Sequence, residues 1–166
     1  MLGDMFKQLR VLLAIALIVA SFGCGGGGTG PSTGEVTPPL GTLRADIDGS
    51  SRELVATAIR DITNDILTIG GEDAGFTVIL ALQAPAVVGT RSLPDPAVLG
   101  AYAGFETYEE AGWAAYGAYG SGTVTIKSLT STAVSGTFSF TLLPYGTATG
   151  TKVISNGSFN APLVRD

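Results

Sequence analysis

Residues 122–163 read GTVTIKSLTSTAVSGTFSFTLLPYGTATGTKVISNGSFNAPL, and this stretch decides the fold class. Apolar residues alternate with polar ones along three successive runs, with one shared parity in each: Val124 and Ile126, then Phe138, Phe140 and Leu142, then Val153, Phe159, Ala161 and Leu163. A period of two predicts strands that bury one face. Polar breaks at 130–133 and 144–150 favour hairpins over parallel strands, which need long crossovers. We therefore predict that an antiparallel meander ends the chain.

The stretch from residue 41 to residue 82 continues this pattern toward the N-terminus. Residues 41–48 alternate and stop at Asp48-Gly49, a strong hairpin signal because glycine tolerates a positive φ. We predict a return strand at about residues 53–60, a strand at 66–69 and another at 76–82. The last of these is almost entirely apolar, FTVILAL, which predicts burial on both faces.

Residues 85–120 are less regular. Three prolines between residues 85 and 96 predict a loop or a short edge strand, because proline cannot donate to a central ladder. The next segment has two interpretations: a hairpin with a turn at 109–112, or a short helix over 105–116. Glycines weaken a helix interior, and they stand at positions 104, 112, 117 and 120, so we favour the hairpin. The whole pattern predicts an all-β fold, a single antiparallel β-sandwich or flattened up-and-down barrel of about nine strands.

The N-terminus has the composition of a secretory signal. Lys7 and Arg10 precede the unbroken apolar run VLLAIALIVA at residues 11–20, and small residues follow it. This run is shorter than the roughly 20 residues that a transmembrane helix needs. We therefore predict a signal peptide at residues 1–23 and not a permanent membrane span.

The junction Ser21-Phe22-Gly23-Cys24 resembles a bacterial lipobox, in which the cysteine is lipidated and becomes the mature N-terminus. The resemblance implies several acyl chains on Cys24, which would make release from a membrane negligible. Residues 24–40 are rich in Gly, Pro, Ser and Thr and predict a disordered tether to a domain at residues 41–166. Gly25 resembles the residue after the cysteine in lipoproteins that are sorted to the outer membrane, so we expect a lipid-anchored location in the bacterial cell envelope, on either face of the outer membrane.

Three segments carry a wider resemblance: IDG at 47–49, SGTVTIKSLTSTAVSGTFSF at 121–140 and KVISNGSFNAPL at 152–163. Together with Cys24 they resemble a family of uncharacterised β-rich bacterial lipoproteins. The similarity is loose over the domain and close over the C-terminal meander. It implies a β fold and a lipid-anchored location, and it brings no known activity, substrate or catalytic residue.

Composition excludes several chemistries. The chain has 166 residues, one cysteine, no histidine and a formal net charge of −5. A lone cysteine cannot form an internal disulfide, and without histidine neither a Ser-His-Asp triad nor histidine-ligated zinc is possible. Nucleic-acid binding lacks the basic cluster it requires. We predict no cofactor and no metal, and the composition argues against an enzyme.

One group of residues is a candidate ligand site. Six aromatic residues lie close together in the sequence: Tyr102, Phe105, Tyr108, Trp113, Tyr116 and Tyr119. On a strand face they would stack a sugar or line a barrel mouth, although such clusters more often complete a core. Three acidic sets occur: Asp46 with Asp48, Glu72 with Asp73, and Glu106 with Glu109 and Glu110. We predict that Asp46 and Asp48 are solvated surface residues rather than a carboxylate pair in a cleft. Glu72-Asp73 and Glu109-Glu110 lie at predicted turns without a calcium-loop spacing, so we predict that they are solvated turn residues.

Two function hypotheses follow. The first is a membrane-anchored, non-enzymatic lipoprotein whose β domain serves as a scaffold for an envelope polymer or a protein partner. The alternative is a calycin-like barrel that binds a small apolar or sugar-like ligand through the aromatic cluster. A solidly packed interior favours the first hypothesis, and a cavity lined by Trp113 and the tyrosines favours the second.

Overall fold

The computed structural model describes residues 37–73, 78–93, 102–107, 111–116 and 119–165. The predicted signal peptide, Cys24 and Tyr108 lie outside these residues. Backbone contacts group Thr37–Asp166 into one compact unit. The described part of this unit contains strands and no helix, so the predicted all-β class is confirmed.

The described residues form ten strands in chain order, against about nine expected from the sequence. They are β1 (Thr42–Ile47), β2 (Ser50–Asp61), β3 (Ile66–Glu72), β4 (Val78–Pro85), β5 (Gly89–Leu93), β6 (Tyr102–Thr107), β7 (Ala111–Ala115), β8 (Ser121–Leu129), β9 (Ala133–Gly146) and β10 (Lys152–Arg165). β6 and β7 pair in antiparallel fashion, so the predicted hairpin is confirmed over the helix.

Eight of these strands close into a barrel. The pairing runs β1–β2–β3–β4–β6–β7–β9–β10 and returns to β1, so every one of the eight has at least two neighbours. The pairs are antiparallel except for a short parallel contact between β10 and β2, where Leu163 lies opposite Ala58. Closure removes exposed sheet edges, which are otherwise sites of aggregation.

β8 and β5 extend the sheet beyond the closed ring. β7 and β8 both pair with β9: Ala114 lies opposite Leu143, and Ser121 lies opposite Thr141. The pairing of this part of the chain with β9 is therefore interrupted between β7 and β8. β5 pairs with β8 alone in the described part of the chain, as predicted for the proline-flanked edge strand.

Side chains fill the barrel interior. Most of the ring strands and β8 have inward residues that are fully or almost fully buried, among them Leu43, Leu67, Ile69, Leu82, Val124, Ile126, Leu142 and Phe159. Phe138 stacks on Phe140 with ring centroids 5.4 Å apart and contacts Phe159 at 6.2 Å. Gly157 lies so close to Phe138 that a Cβ there would be 2.5 Å from the ring. Such contacts indicate packing at the density of a protein core.

The parity predicted for the last strand is wrong at Val153. This residue is 47% exposed, whereas its neighbour Ile154 is 1% exposed. The pairing of β10 with β9 shifts register between Ile154 and Gly157, and Asn156 adopts a φ of +51°. A bulge adds one residue and so exchanges the two faces of the strand. The predicted parity continued unchanged across Asn156-Gly157, which is why it fails before the bulge.

The barrel has two ends, which we name after one residue in each. The Lys152 end contains the β1–β2 turn at Asp48 and the start of β10, where the Asp48 amide donates to Val153 O at 2.8 Å. The Ile62 end contains the β2–β3 turn, the segment after β4, the β8–β9 turn and the end of β10. Two backbone hydrogen bonds hold this end together: Ala86 N to Asp65 O and Leu163 N to Thr132 O, both 2.8 Å.

Candidate functional site

Two members of the predicted aromatic cluster, Phe105 and Trp113, meet at the Lys152 end. They face each other across the β6–β7 pair, with ring centroids 5.8 Å apart in an edge-to-face arrangement. The Trp113 Nε1 donates a hydrogen bond to Gly150 O at 3.1 Å, which ties β7 to the β9–β10 connection. An indole buried on one side with its N–H satisfied is a stable arrangement for a barrel mouth.

Lys152 covers both of these rings. It lies opposite the buried Leu142 and therefore belongs to the inward-facing row of β10. Its Nζ is 4.3 Å from the Trp113 ring centroid and 4.9 Å from that of Phe105. An ammonium at this distance is attracted to the negative face of an aromatic ring. The position a ligand cation would take is thus held by a side chain of the protein.

Asp48 completes this group from the β1–β2 turn. Its Oδ2 accepts from Lys152 Nζ at 2.8 Å, and its Oδ1 accepts from the Val153 amide at 2.9 Å. The hydrogen bond from Lys152 lowers the pKa of Asp48, partial burial opposes this, and the Val153 amide lowers the pKa further. Asp48 and Gly49 have φ values of +51° and +80°, the conformation of a two-residue type I′ turn, so the predicted Asp-Gly hairpin is confirmed.

The other four aromatic residues are not part of this group as far as the structure describes them. Tyr116 and Tyr119 lie where the chain leaves the ladder between β7 and β8, bridged to each other by two backbone hydrogen bonds. Tyr116 is partly exposed, and the Tyr119 hydroxyl donates to Pro144 O. Tyr102 begins β6 opposite Gln83, and Tyr108 is outside the described residues.

A second group of polar residues lies on the outer face of the barrel, where the sequence analysis expected only solvated carboxylates. The register places one row of residues on that face, Val55, Glu72, Glu106, Gly112 and Tyr145, with the backbone of Ile79 paired between Glu72 and Glu106. Glu72 and Glu106 are 4% and 8% exposed, so the prediction of a solvated turn residue is wrong for Glu72. They end up in strands because β3 and β6 each run further than their apolar pattern indicated.

The surroundings of these two carboxyl groups differ. The Tyr145 hydroxyl donates to Glu106 Oε1 at 2.6 Å, and its ring occupies the space that a Cβ on Gly112 would need. Glu72 Oε1 has no hydrogen-bond partner among the described residues. Burial raises the pKa of Glu72, and the neighbouring charge of Asp73 raises it further. β4 lies between the two carboxylates, which puts their backbones about 10 Å apart.

Sequence reasoning missed Lys152, Asp48 and Tyr145 as partners in these groups. Lys152 lies just after a glycine-rich connection and next to Val153, and nothing in its spacing distinguishes it from a surface lysine. Its partner Asp48 is 104 positions away. The only available signal was the parity of Lys152 relative to Ile154, and it becomes readable once the bulge at Asn156 is placed.

Comparisons with protein-family models, with characterised proteins and with solved structures found no match to this chain. The described residues contain no group of three or more Cys, Asp or Glu side chains placed to hold a metal ion. Within the same residues, no helix has the length and apolar character to span a membrane.

Proposed function

We propose that this chain is a membrane-anchored bacterial lipoprotein whose β-barrel is a non-enzymatic scaffold in the cell envelope. In this proposal a signal peptide at residues 1–23 is removed, lipid on Cys24 holds the chain to a membrane, and residues 24–40 form the tether. The barrel is held near the membrane surface, where it interacts with an envelope polymer or a protein partner.

The observation that carries this proposal is the order of three segments. The chain starts with basic residues and an apolar run that is too short to span a bilayer as a helix, and Ser21-Phe22-Gly23-Cys24 follows. A Gly/Pro-rich stretch then separates Cys24 from the compact unit that begins at Thr37. A lone cysteine at this junction suits lipidation, since it has no second cysteine to pair with. The outer membrane is the expected destination on the resemblance at Gly25.

The interior of the barrel supports a scaffold over a ligand carrier. Buried apolar side chains pack inside the described part of the barrel, and glycines at positions 136 and 157 leave no room for a Cβ beside Phe159 and Phe138. Lys152 closes one mouth by lying on Phe105 and Trp113. A barrel that binds a small molecule inside needs a cavity at these positions.

The test is lipidation in a bacterial host. Cys24→Ser should abolish incorporation of a labelled fatty acid and move the protein from the membrane fraction to the soluble fraction, because a serine hydroxyl cannot take the thioether-linked lipid. Ser32→Ala, a substitution in the tether that keeps the cysteine, should leave both unchanged. Membrane association of the Cys24→Ser protein after washing without detergent would refute the lipid anchor.

A further inference from the structure

Four of the eight large apolar residues that are exposed in the described part of the chain lie at the Ile62 end, three of them in its turns. Ile62 lies in the β2–β3 turn, and Val87 and Val88 follow β4; they are 66%, 44% and 55% exposed. The hydrogen bond from Ala86 N to Asp65 O holds the two turns together, so these side chains project from one rim. Val164, near the end of β10, is also half exposed at this end. Scattered exposed valines are ordinary, but branched apolar residues grouped in adjoining turns indicate a surface that something covers.

The two ends of the barrel also differ in charge. Around the Lys152 end there are five acidic residues, Asp46, Asp48, Glu72, Asp73 and Glu106, against Lys152 and Arg52. Among the described residues, the half nearer Ile62 has Arg60, Arg91, Lys127 and Arg165 against Asp61 and Asp65, and Arg60 is paired with Asp65. The protein is acidic as a whole, with a net charge of −5, yet the described residues of this half include more basic than acidic ones.

Basic side chains lie beside the apolar rim. β5 starts at Gly89, directly after Val88, and the guanidinium of Arg91 lies back toward Gly89 and donates to Thr90 O at 2.9 Å. Gly89 pairs with Ile126 of β8, which puts the exposed Lys127 next to the same turn. Apolar residues that enter an interface, flanked by cations, suit a bilayer with anionic headgroups.

The N-terminal segment joins the barrel at a place that allows the Ile62 end to face the membrane. Asn160 Nδ2 donates to Pro38 O, and Gly41 N donates to Asn160 O, so the chain is fixed to β10 from Pro38 onward. The roughly 14 residues from Cys24 to Pro38 would have a mean reach of about 20 Å if they behave as a flexible linker. From Ala56, which bonds to Gly41, to the end of β2 is about 16 Å of strand, so the Ile62 end can meet the surface that holds Cys24.

We propose that the Ile62 end docks on an anionic bilayer, with Ile62, Val87 and Val88 in the headgroup layer and Arg91 and Lys127 against lipid phosphates. The acidic Lys152 end then faces away from the membrane and is the end presented to partners. This orientation rests on the proposed lipid anchor at Cys24, which brings the barrel to the surface. Docking of the Ile62 end is a second membrane contact, weaker than the lipid anchor, and it determines which end of the barrel faces the bilayer.

The test compares one probe at each end of the full chain. The lipidated protein with Val88→Cys, or with Thr149→Cys as the matched exposed position at the Lys152 end, is labelled with an environment-sensitive fluorophore. In vesicles of phosphatidylcholine and phosphatidylglycerol, the probe at residue 88 should shift its emission to the blue and be quenched by nitroxide-labelled lipid. The probe at residue 149 should do neither. Vesicles of phosphatidylcholine alone should give a smaller shift at residue 88.

A further variant and a separate measurement make the outcome decisive. Ile62→Asp in the Val88→Cys chain should reduce the blue shift while the melting temperature stays close to that of the parent, because Ile62 is mostly exposed. Equal signals at both ends, no signal at residue 88, or a shift that appears without vesicles as the protein self-associates would overturn the docking. Mass spectrometry of the same sample reports the fatty modification, so an unmodified chain would contradict the lipid anchor independently of the two probes.

Discussion

Lys152 is the residue on which the contacts at its end of the barrel converge. Its ammonium is shared between the carboxylate of Asp48 and the faces of Phe105 and Trp113. An exposed ion pair alone contributes little, whereas a partly desolvated cation on two rings contributes more. Because the side chain of Lys152 is only 15% exposed, we assign most of its contribution to the rings.

Replacing this lysine tests that assignment. Lys152→Met keeps the aliphatic stem and removes the charge, and we expect it to lower the free energy of unfolding by about 1 to 2 kcal/mol. Arg52→Met removes a charge from an exposed position on β2 and should cost less than about 0.5 kcal/mol. Urea unfolding followed by the fluorescence of Trp113, the single tryptophan, measures both. Equal effects would contradict the assignment.

Asp48 should make stability depend on pH in the acid range. Its folded-state pKa lies below the ordinary value of 3.8 because of the hydrogen bonds from Lys152 and the Val153 amide. A carboxyl with a depressed folded pKa stabilises the protein above its unfolded pKa, and this contribution is lost as the pH falls through the folded value. Asp48→Asn should therefore be less stable than wild type near neutral pH, and the difference should shrink below about pH 4.

Asparagine is a suitable replacement because it tolerates the positive φ at this position. Thermal unfolding of both proteins across the acid range gives the comparison. A difference that stays constant from neutral pH to well below pH 3.8 would show that the carboxylate charge plays no part in holding the turn.

Among the strands, β10 most directly tests how the sequence encodes the fold. The bulge at Asn156 places Ile154 inside and Val153 outside, against the parity that the rest of the strand suggests. Ile154→Ala should cost about 2 to 4 kcal/mol through lost burial and the cavity it leaves. Val153→Ala, its matched neighbour, should cost less than about 0.5 kcal/mol. Chemical denaturation that ranks the two the other way would show that the register shift is misplaced.

The elements divide into those that local pattern determines and those that it does not. Alternation between Val124 and Leu142 predicted β8 and β9, and Asp48-Gly49 predicted the first turn, because period two and a positive φ are properties of the residues themselves. The inside position of Lys152 and the burial of Glu72 were not predictable in this way. They depend on which strand lies opposite, and that is set by contacts between residues far apart in the chain.

The pairing of β7 and β8 with β9 was also not predictable from local sequence pattern. β7 and β8 were expected as separate strands, and the sequence contains no sign that both lie along β9. Their shared partner follows from closure of the barrel, since β9 is long enough to hold β8 along its first part and β7 along its last. A local pattern specifies the number of strands better than it specifies their neighbours.

Closure joins the two ends of the domain, and this has a consequence for the whole molecule. β10 pairs with β1, with β9 and, over its last residues, with β2, so the final strand holds the first hairpin in the ring. Leu163 is buried at this junction, opposite Ala58, while the next residue, Val164, is half exposed. If the barrel unfolds as one cooperative unit, weakening this junction must weaken every strand.

Leu163→Ala should lower the free energy of unfolding by about 2 to 4 kcal/mol, and Val164→Ala should lower it by less than about 0.5 kcal/mol. Hydrogen exchange shows where the loss falls. Amides of β3, which does not touch β10 in the ladder, should lose as much protection as those of β10 itself, because both exchange only when the ring opens globally. Loss of protection confined to residues 163–165 would instead mean that the end of β10 frays alone and that the β10–β1 pairing is sufficient to keep the barrel closed.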